Sequence, residues 1–303
     1  MKRRQTILFG FVCFLLVILV GCGSGGSTGI GRINPDQDQN GNQLHFQAGW
    51  TANIPSSPSN ISSFNDQIYV TSPYTYTVYS YYTVNGNRAE FNVFQPYDPN
   101  WGFTSGAGFD NLGTLFVTSY NGYEWQNPPG NTLGVVETTG YIIDVDGTNC
   151  ENSAYFLQNP TGFGSIAILK GNFSTYSTLV SDIDVTYMPN SIGIHSDTNR
   201  AFVSCSNNYG IRVYDLTNNV YVDSYMTDEA FVSGISIRGN WFFANCAPYY
   251  PIYDVSAGNF DKIGEIYVPE FTGQGGVEID ELGDVYITDS TRNEIKQFIL
   301  QKN

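Results

Sequence analysis

Two histidines, His45 and His195, are the whole supply of imidazole in this 303-residue chain, so any nucleophile–His–carboxylate relay has to be built on one of them. Both lie in alternating, strand-like runs, and nothing in sequence supplies partners; His195 reads as an ordinary strand residue. Carboxylates offer more. Asp110 and Asp280 each precede a Leu-Gly pair, the position at which an aspartate caps the backbone amides of a tight turn. Glu278 stands inside an alternating run and has no such duty, and Asp289 closes a β-branched one. No catalytic set is complete in the sequence; if the protein is an enzyme, Glu278, Asp289 and His195 are the candidates. A ring of such carboxylates with backbone carbonyls would alternatively hold calcium; otherwise no cofactor and no metal site is expected.

Other chemistries find little support. Asp36, Asp38, Asn40 and Gly41 have the spacing of the start of a calcium loop, but position twelve is Gln47 where a bidentate Glu is needed. No CxxC occurs, which removes zinc-ribbon and thioredoxin-like chemistry. Cys205 and Cys246 occupy similar places in neighbouring repeats and read as buried small side chains. No glycine-rich loop leads into a helix, so a nucleotide cradle is not predicted.

The elements that would position these groups repeat along the chain. GAGFDNLGTLFVTS from Gly106 aligns without a gap on GVEIDELGDVYITD from Gly276, and units led by Gly193 and Gly234 fall between them. The last three leading glycines are 41 and 42 residues apart, the spacing of four-stranded propeller blades. Residues Ser153–Gly171 supply a strand pair for a further unit, and Ile68–Thr71 matches Leu115–Thr118 one unit upstream. The expectation is an all-β, six-bladed propeller of four-stranded antiparallel blades. The last unit stops after its third strand, and Asn42–Trp50 is an alternating strand without a blade, so it should close the ring and remove a free edge.

Gly276, Val277, Asp280, Gly283, Val285, Tyr286, Ile287, Asp289, Asn293, Ile295 and Phe298 fall on the pattern of an NHL repeat, which the segment resembles. That resemblance implies fold far more than activity. Among propellers related to it are lactonases, glycosidases and lyases, typically with a metal or carboxylates at the channel mouth.

At the other end, Lys2, Arg3 and Arg4 precede the apolar run Thr6–Val20, a secretory signal by its length and flanks. Leu19-Val20-Gly21-Cys22 looks like a bacterial lipobox, in which the cysteine is acylated and becomes the new N-terminus. Residues 1–21 are then a signal peptide, 22–41 a polar tether, and 42–303 one folded domain. The expected address is the cell envelope, outside the cytoplasm, on a membrane through the lipid at Cys22. Removing the signal leaves 10 basic against 28 acidic residues, and a formal charge near −18 makes nucleic acid a poor partner.

Sorting the turns by the side of the disc on which they fall puts aromatic residues on one side. Tyr74, Tyr76, Trp101, Tyr123, Trp125, Tyr209, Tyr249 and Tyr250 are the candidate ligand-binding set, with specificity expected from the loop between Tyr120 and Asn131. The leading expectation is a monomeric, non-catalytic scaffold that binds an extracytoplasmic glycan or protein through this face. The alternative is a propeller enzyme of lactonase, glycosidase or lyase type, with a metal or carboxylate site at the central channel.

Overall fold

The computed structural model describes residues 44–301 apart from 76, 90–105, 128–131, 148–149, 161–164, 185–187, 207–209, 228–230 and 257–259. Cys22, Tyr76, Trp101 and Tyr209, with the lipobox and tether, lie outside the described residues. No described helix is long and apolar enough to cross a membrane.

Strand β1 (His45–Asn53) precedes blade one, made of β2 (Asn60–Phe64), β3 (Gln67–Ser72) and β4 (Thr77–Tyr82). Blade two is β5 (Ala107–Phe109), β6 (Leu115–Ser119), β7 (Gly122–Gln126) and β8 (Thr132–Glu137). Blade three is β9 (Gly140–Asp146), β10 (Ser153–Pro160), β11 (Ser165–Asn172) and β12 (Tyr176–Asp184). Blade four runs through β13 (Pro189–His195), β14 (Arg200–Cys205), β15 (Gly210–Asp215) and β16 (Val220–Met226). Blade five holds β17 (Gly234–Arg238), β18 (Trp241–Asn245), β19 (Tyr249–Asp254) and β20 (Asp261–Tyr267). Blade six combines β21 (Val277–Ile279), β22 (Val285–Asp289) and β23 (Glu294–Gln301) with β1, which pairs antiparallel to β23 from His45↔Gln301 to Asn53↔Glu294. The expected six-bladed ring and its closure by the N-terminal strand are both present.

The repeat has a local cause. In blades two and six the first aspartate caps the turn into the second strand: Asp110 Oδ1 accepts the amides of Leu112 and Thr114, and Asp280 Oδ1 those of Leu282 and Asp284. Gly113 and Gly283 follow at φ of 81° and 89°, a conformation that a side chain would strain. A threonine then clasps the leading glycine, Thr118 Oγ1 accepting from Gly106 N at 2.7 Å and Thr288 Oγ1 from Gly276 N at 2.8 Å.

Six apolar clusters hold the ring together, one between each pair of neighbouring blades. Alternating residues of each sheet face two different neighbours, so a strand buried on both faces reads as a nearly continuous apolar run. Cys205 and Cys246 are small side chains buried in different clusters, with no disulfide between them.

Candidate functional site

All six inner strands line a cavity of about 160 Å³ on the ring axis. Among the described residues its wall carries five acidic side chains, Asp110, Asp144, Asp146, Glu278 and Glu281, and one basic one, Arg238. Two of the acids come from opposite blades: Asp144 from β9 in blade three and Glu278 from β21 in blade six.

Asp144 reaches the axis because the backbone around it is adjusted. A bulge at Ile143, where Leu157 pairs with Asp144 but Gln158 pairs with Ile142, breaks the alternation and turns the next side chain. Blade two then yields space: a Cβ on Gly106 would stand 3.0 Å from Asp144 Oδ1, and one on Gly108 would stand 3.0 Å from Val145 O. Through that gap the Asn60 amide of blade one donates to Asp144 Oδ1. Ser191 Oγ and Ile192 N of blade four donate to Oδ2 at 2.6 and 3.0 Å.

Glu278 is held in the same manner from its two flanks. Ser63 of blade one donates to Oε1 through both its hydroxyl, at 2.7 Å, and its amide, at 3.2 Å. Ser236 Oγ of blade five donates to Oε2 at 2.9 Å. With Ile235 N donating to Ser191 Oγ, these bonds form a polar belt that joins the inner strands of every blade except blade two.

The electrostatics follow from this seating. Burial raises the Asp144 carboxyl to about 7, against the lowering effect of the Ser191, Ile192 and Val145 donors. Burial likewise raises Glu278 to about 7, opposed by Ser63, by the positive charge of Arg238 and by Ser236. Glu278 keeps part of its surface open to the cavity, whereas Asp144 is 3 % exposed. Two carboxyls that exchange protons near neutrality in one cavity can act as general acid and general base.

The wall also has unmet hydrogen-bonding capacity. Asn60 Oδ1, Ser62 Oγ and Asp110 Oδ2 are buried without a protein partner. Such a wall suits a polyhydroxylated or hydrated occupant over an apolar one. Calcium fits it less well. Among the described residues no three His, Cys, Asp or Glu side chains gather around one point, and both oxygens of Asp144 and of Glu278 already receive donors.

Of the sequence candidates, Glu278 is in this wall. Asp289 and His195 are not. Asp289 is fully buried and accepts four backbone amides, from Thr272 and Gly273 on Oδ2 and from Thr291 and Arg292 on Oδ1; it staples a loop and has no oxygen left for a substrate. His195 is buried in blade four, its Nδ1 2.7 Å from Thr198 Oγ1 and its Nε2 3.3 Å from Asn240 Oδ1.

The aromatic set needs the larger correction. Ser119 pairs directly with Gly122, so the turn is only two residues long, and Tyr123 and Trp125 belong to β7, not to a loop. Tyr123 is buried between blades two and three, stacked at 4.1 Å on Phe156, with its hydroxyl donating to Asn172 O. Trp125 is half-buried against Phe173. Tyr250 is fully buried between blades five and six. Tyr74, at 77 % exposure, and the half-buried Tyr249, stacked on Tyr267, keep ring surface available. Asn60, Ser63, Asp144, Asp146, Ser191, Ser236 and Arg238 were not singled out by sequence, although the Asp-Val-Asp run of β9 was a signal that could have found two of them.

No protein-family model matches the chain, and no curated protein matches it. Among solved structures, a gluconolactonase from Xanthomonas campestris is similar, with a TM-score of 0.64 and 13 % sequence identity over 82 % of this chain and 88 % of that one. At that identity the likeness shows the shared propeller fold. The expected non-catalytic scaffold is nonetheless corrected. The rings of Tyr123 and Tyr250 that it relied on hold blades together, the polar cavity lies on the axis, and the solved neighbour is an enzyme.

Proposed function

We propose that the domain is a hydrolase of small, polyhydroxylated cyclic esters, working through carboxylates in the axial cavity. The observation that carries this reading is the meeting of Asp144 and Glu278, from opposite blades, in one polar cavity. Glu278, partly open to the cavity, takes the proton of the attacking water, and the buried Asp144 carboxyl orders the inner wall through Asn60 and Ser191. The similar gluconolactonase supports this choice of substrate class, and so does charge. A neutral lactone enters a protein of formal charge −15 without repulsion, whereas its hydroxy-acid product, once ionised, is driven out. The lipobox-like Leu19–Cys22 and the polar tether support an enzyme held at a membrane surface outside the cytoplasm, and the NHL-like turn residues support a common repeat origin for its blades.

The test is hydrolysis of D-glucono-δ-lactone followed by pH-stat. Glu278→Gln is expected to lower kcat/KM by about 10²–10⁴-fold, the range for loss of a general base, while Tm is retained. The rate should rise with pH through about 7 as Glu278 ionises. Stability should run the other way. Both carboxyls bind protons more tightly folded than unfolded, so their contribution is complete below about pH 4 and is lost as pH rises through about 7. A wild-type protein that leaves the lactone at its uncatalysed rate overturns the reading, as does an unimpaired Glu278→Gln.

A further inference from the structure

We propose that Arg238 binds the carbonyl oxygen of the ester under attack and stabilises the negative charge that develops there, an assignment that rests on the hydrolase reading above. Among the described residues of the wall, Arg238 is the one cationic side chain, beside five acids. It ends β17 two residues after Ser236, so the two side chains leave the same face of the strand, about 6–7 Å apart. Ser236 holds Glu278, and one step further along the cavity Arg238 faces Glu281. The Arg238–Glu281 contact is long, at 3.6 Å, and the Glu281 side chain is 67 % exposed. An ion pair of that kind contributes little and gives way readily to a better partner. A guanidinium offers a planar fork of donors suited to an oxygen that becomes charged. Its field already reaches Glu278, where its positive charge favours the ionised carboxylate.

The step balances without a further reactant. Water oxygen adds to the carbonyl carbon, its proton passes to the Glu278 carboxylate, and the carbonyl π pair collects on the oxygen beside Arg238. Collapse re-forms the double bond and breaks the ring carbon–oxygen bond, and the departing alkoxide takes the proton back from Glu278. The new carboxylic acid then ionises into solvent, leaving a carboxylate next to Arg238 until it diffuses away.

Arg238→Met and Arg238→Lys, assayed beside Glu278→Gln on D-glucono-δ-lactone, test the assignment. Arg238→Met should lower kcat by about 100-fold, as loss of one oxyanion donor does elsewhere, with KM changed far less. Added guanidinium should restore part of the rate, and Arg238→Lys should be intermediate. Inhibition by D-gluconate should weaken in Arg238→Met. The acid limb of the rate profile should move to higher pH, because Arg238 opposes burial at Glu278 while Asp146 reinforces it and Ser63 and Ser236 are unchanged. Should Arg238→Met not fold, Arg238→Gln takes its place under the same criteria. An Arg238 variant within about twofold of wild type, beside an inactive Glu278→Gln, overturns the role of Arg238 and leaves the hydrolase reading standing. A wild-type protein with no lactone hydrolysis overturns both.

Discussion

Blades two and six are built on one pattern and do different work. Each has the same aspartate-capped turn, the same left-handed glycine and the same threonine clasp on its leading glycine. Of the nine aligned positions at which they differ, three set their work apart: Gly108 against Glu278, Phe116 against Tyr286, and Ser119 against Asp289. In blade six the first position supplies the candidate base. In blade two it supplies nothing, and that gap lets β9 and Asp144 approach the axis. The repeat therefore fixes the frame, and the site comes from where copies depart from it.

The most disruptive way to break this comparison is to give blade two the residue of blade six. Gly108→Glu would set a Cβ 3.0 Å from Val145 O and add a further carboxylate to a wall that already carries five. A buried carboxylate beside other acids, combined with overpacking, should cost at least about 3 kcal/mol, read as a lower midpoint in urea unfolding. An unchanged midpoint would show that the glycines of β5 are not needed for the approach of β9.

A smaller loss is expected from exchanging the third position. Asp289→Ser, the residue of blade two, would leave the amides of Thr272, Gly273, Thr291 and Arg292 without their acceptor. With the first two sited at a buried carboxylate, about 2–3 kcal/mol should be lost. Lactone hydrolysis by the folded fraction should survive, because Asp289 is not in the cavity wall. Loss of activity without loss of stability would return Asp289 to the catalytic set.

How far the chain could be read follows from the same contrast. Blade spacing, turn aspartates and the closing strand were legible because each is local: a period-two run, a glycine at positive φ, a spare strand at one end and a missing one at the other. The site was not, because its bonds join residues far apart in sequence, Asn60 with Asp144 and Ser63 with Glu278, 84 and 215 positions away. Asp144 was hidden further by the bulge at Ile143, which interrupts the alternation that marks an inner strand. The aromatic surface failed for a local reason. Tyr123 and Tyr250 lie next to turn residues but belong to strands, and an amphipathic ring in a strand packs between blades, as Tyr123 does with its hydroxyl on Asn172 O.

The second aligned position gives the finest test, because a single hydroxyl separates the blades there. In blade six, Tyr286 OH donates to Asp280 Oδ2 at 2.9 Å and lies 3.2 Å from Gln297 Nε2, so the turn aspartate has both oxygens satisfied. In blade two the aligned residue is Phe116, and Asp110 Oδ2 is buried with no partner. Tyr286→Phe should reproduce that condition in blade six at a cost of about 1–2 kcal/mol, since it removes the donor and leaves the buried acceptor. Phe116→Tyr should do the reverse in blade two and stabilise by up to about 1 kcal/mol, provided the hydroxyl fits among Tyr123, Phe156 and Phe173. Because the two positions lie in different inter-blade cores, the two changes made together should add, the gain in blade two offsetting part of the loss in blade six. A destabilising Phe116→Tyr would mean that the packing of that core, and not the unmet oxygen of Asp110, decides which ring blade two carries.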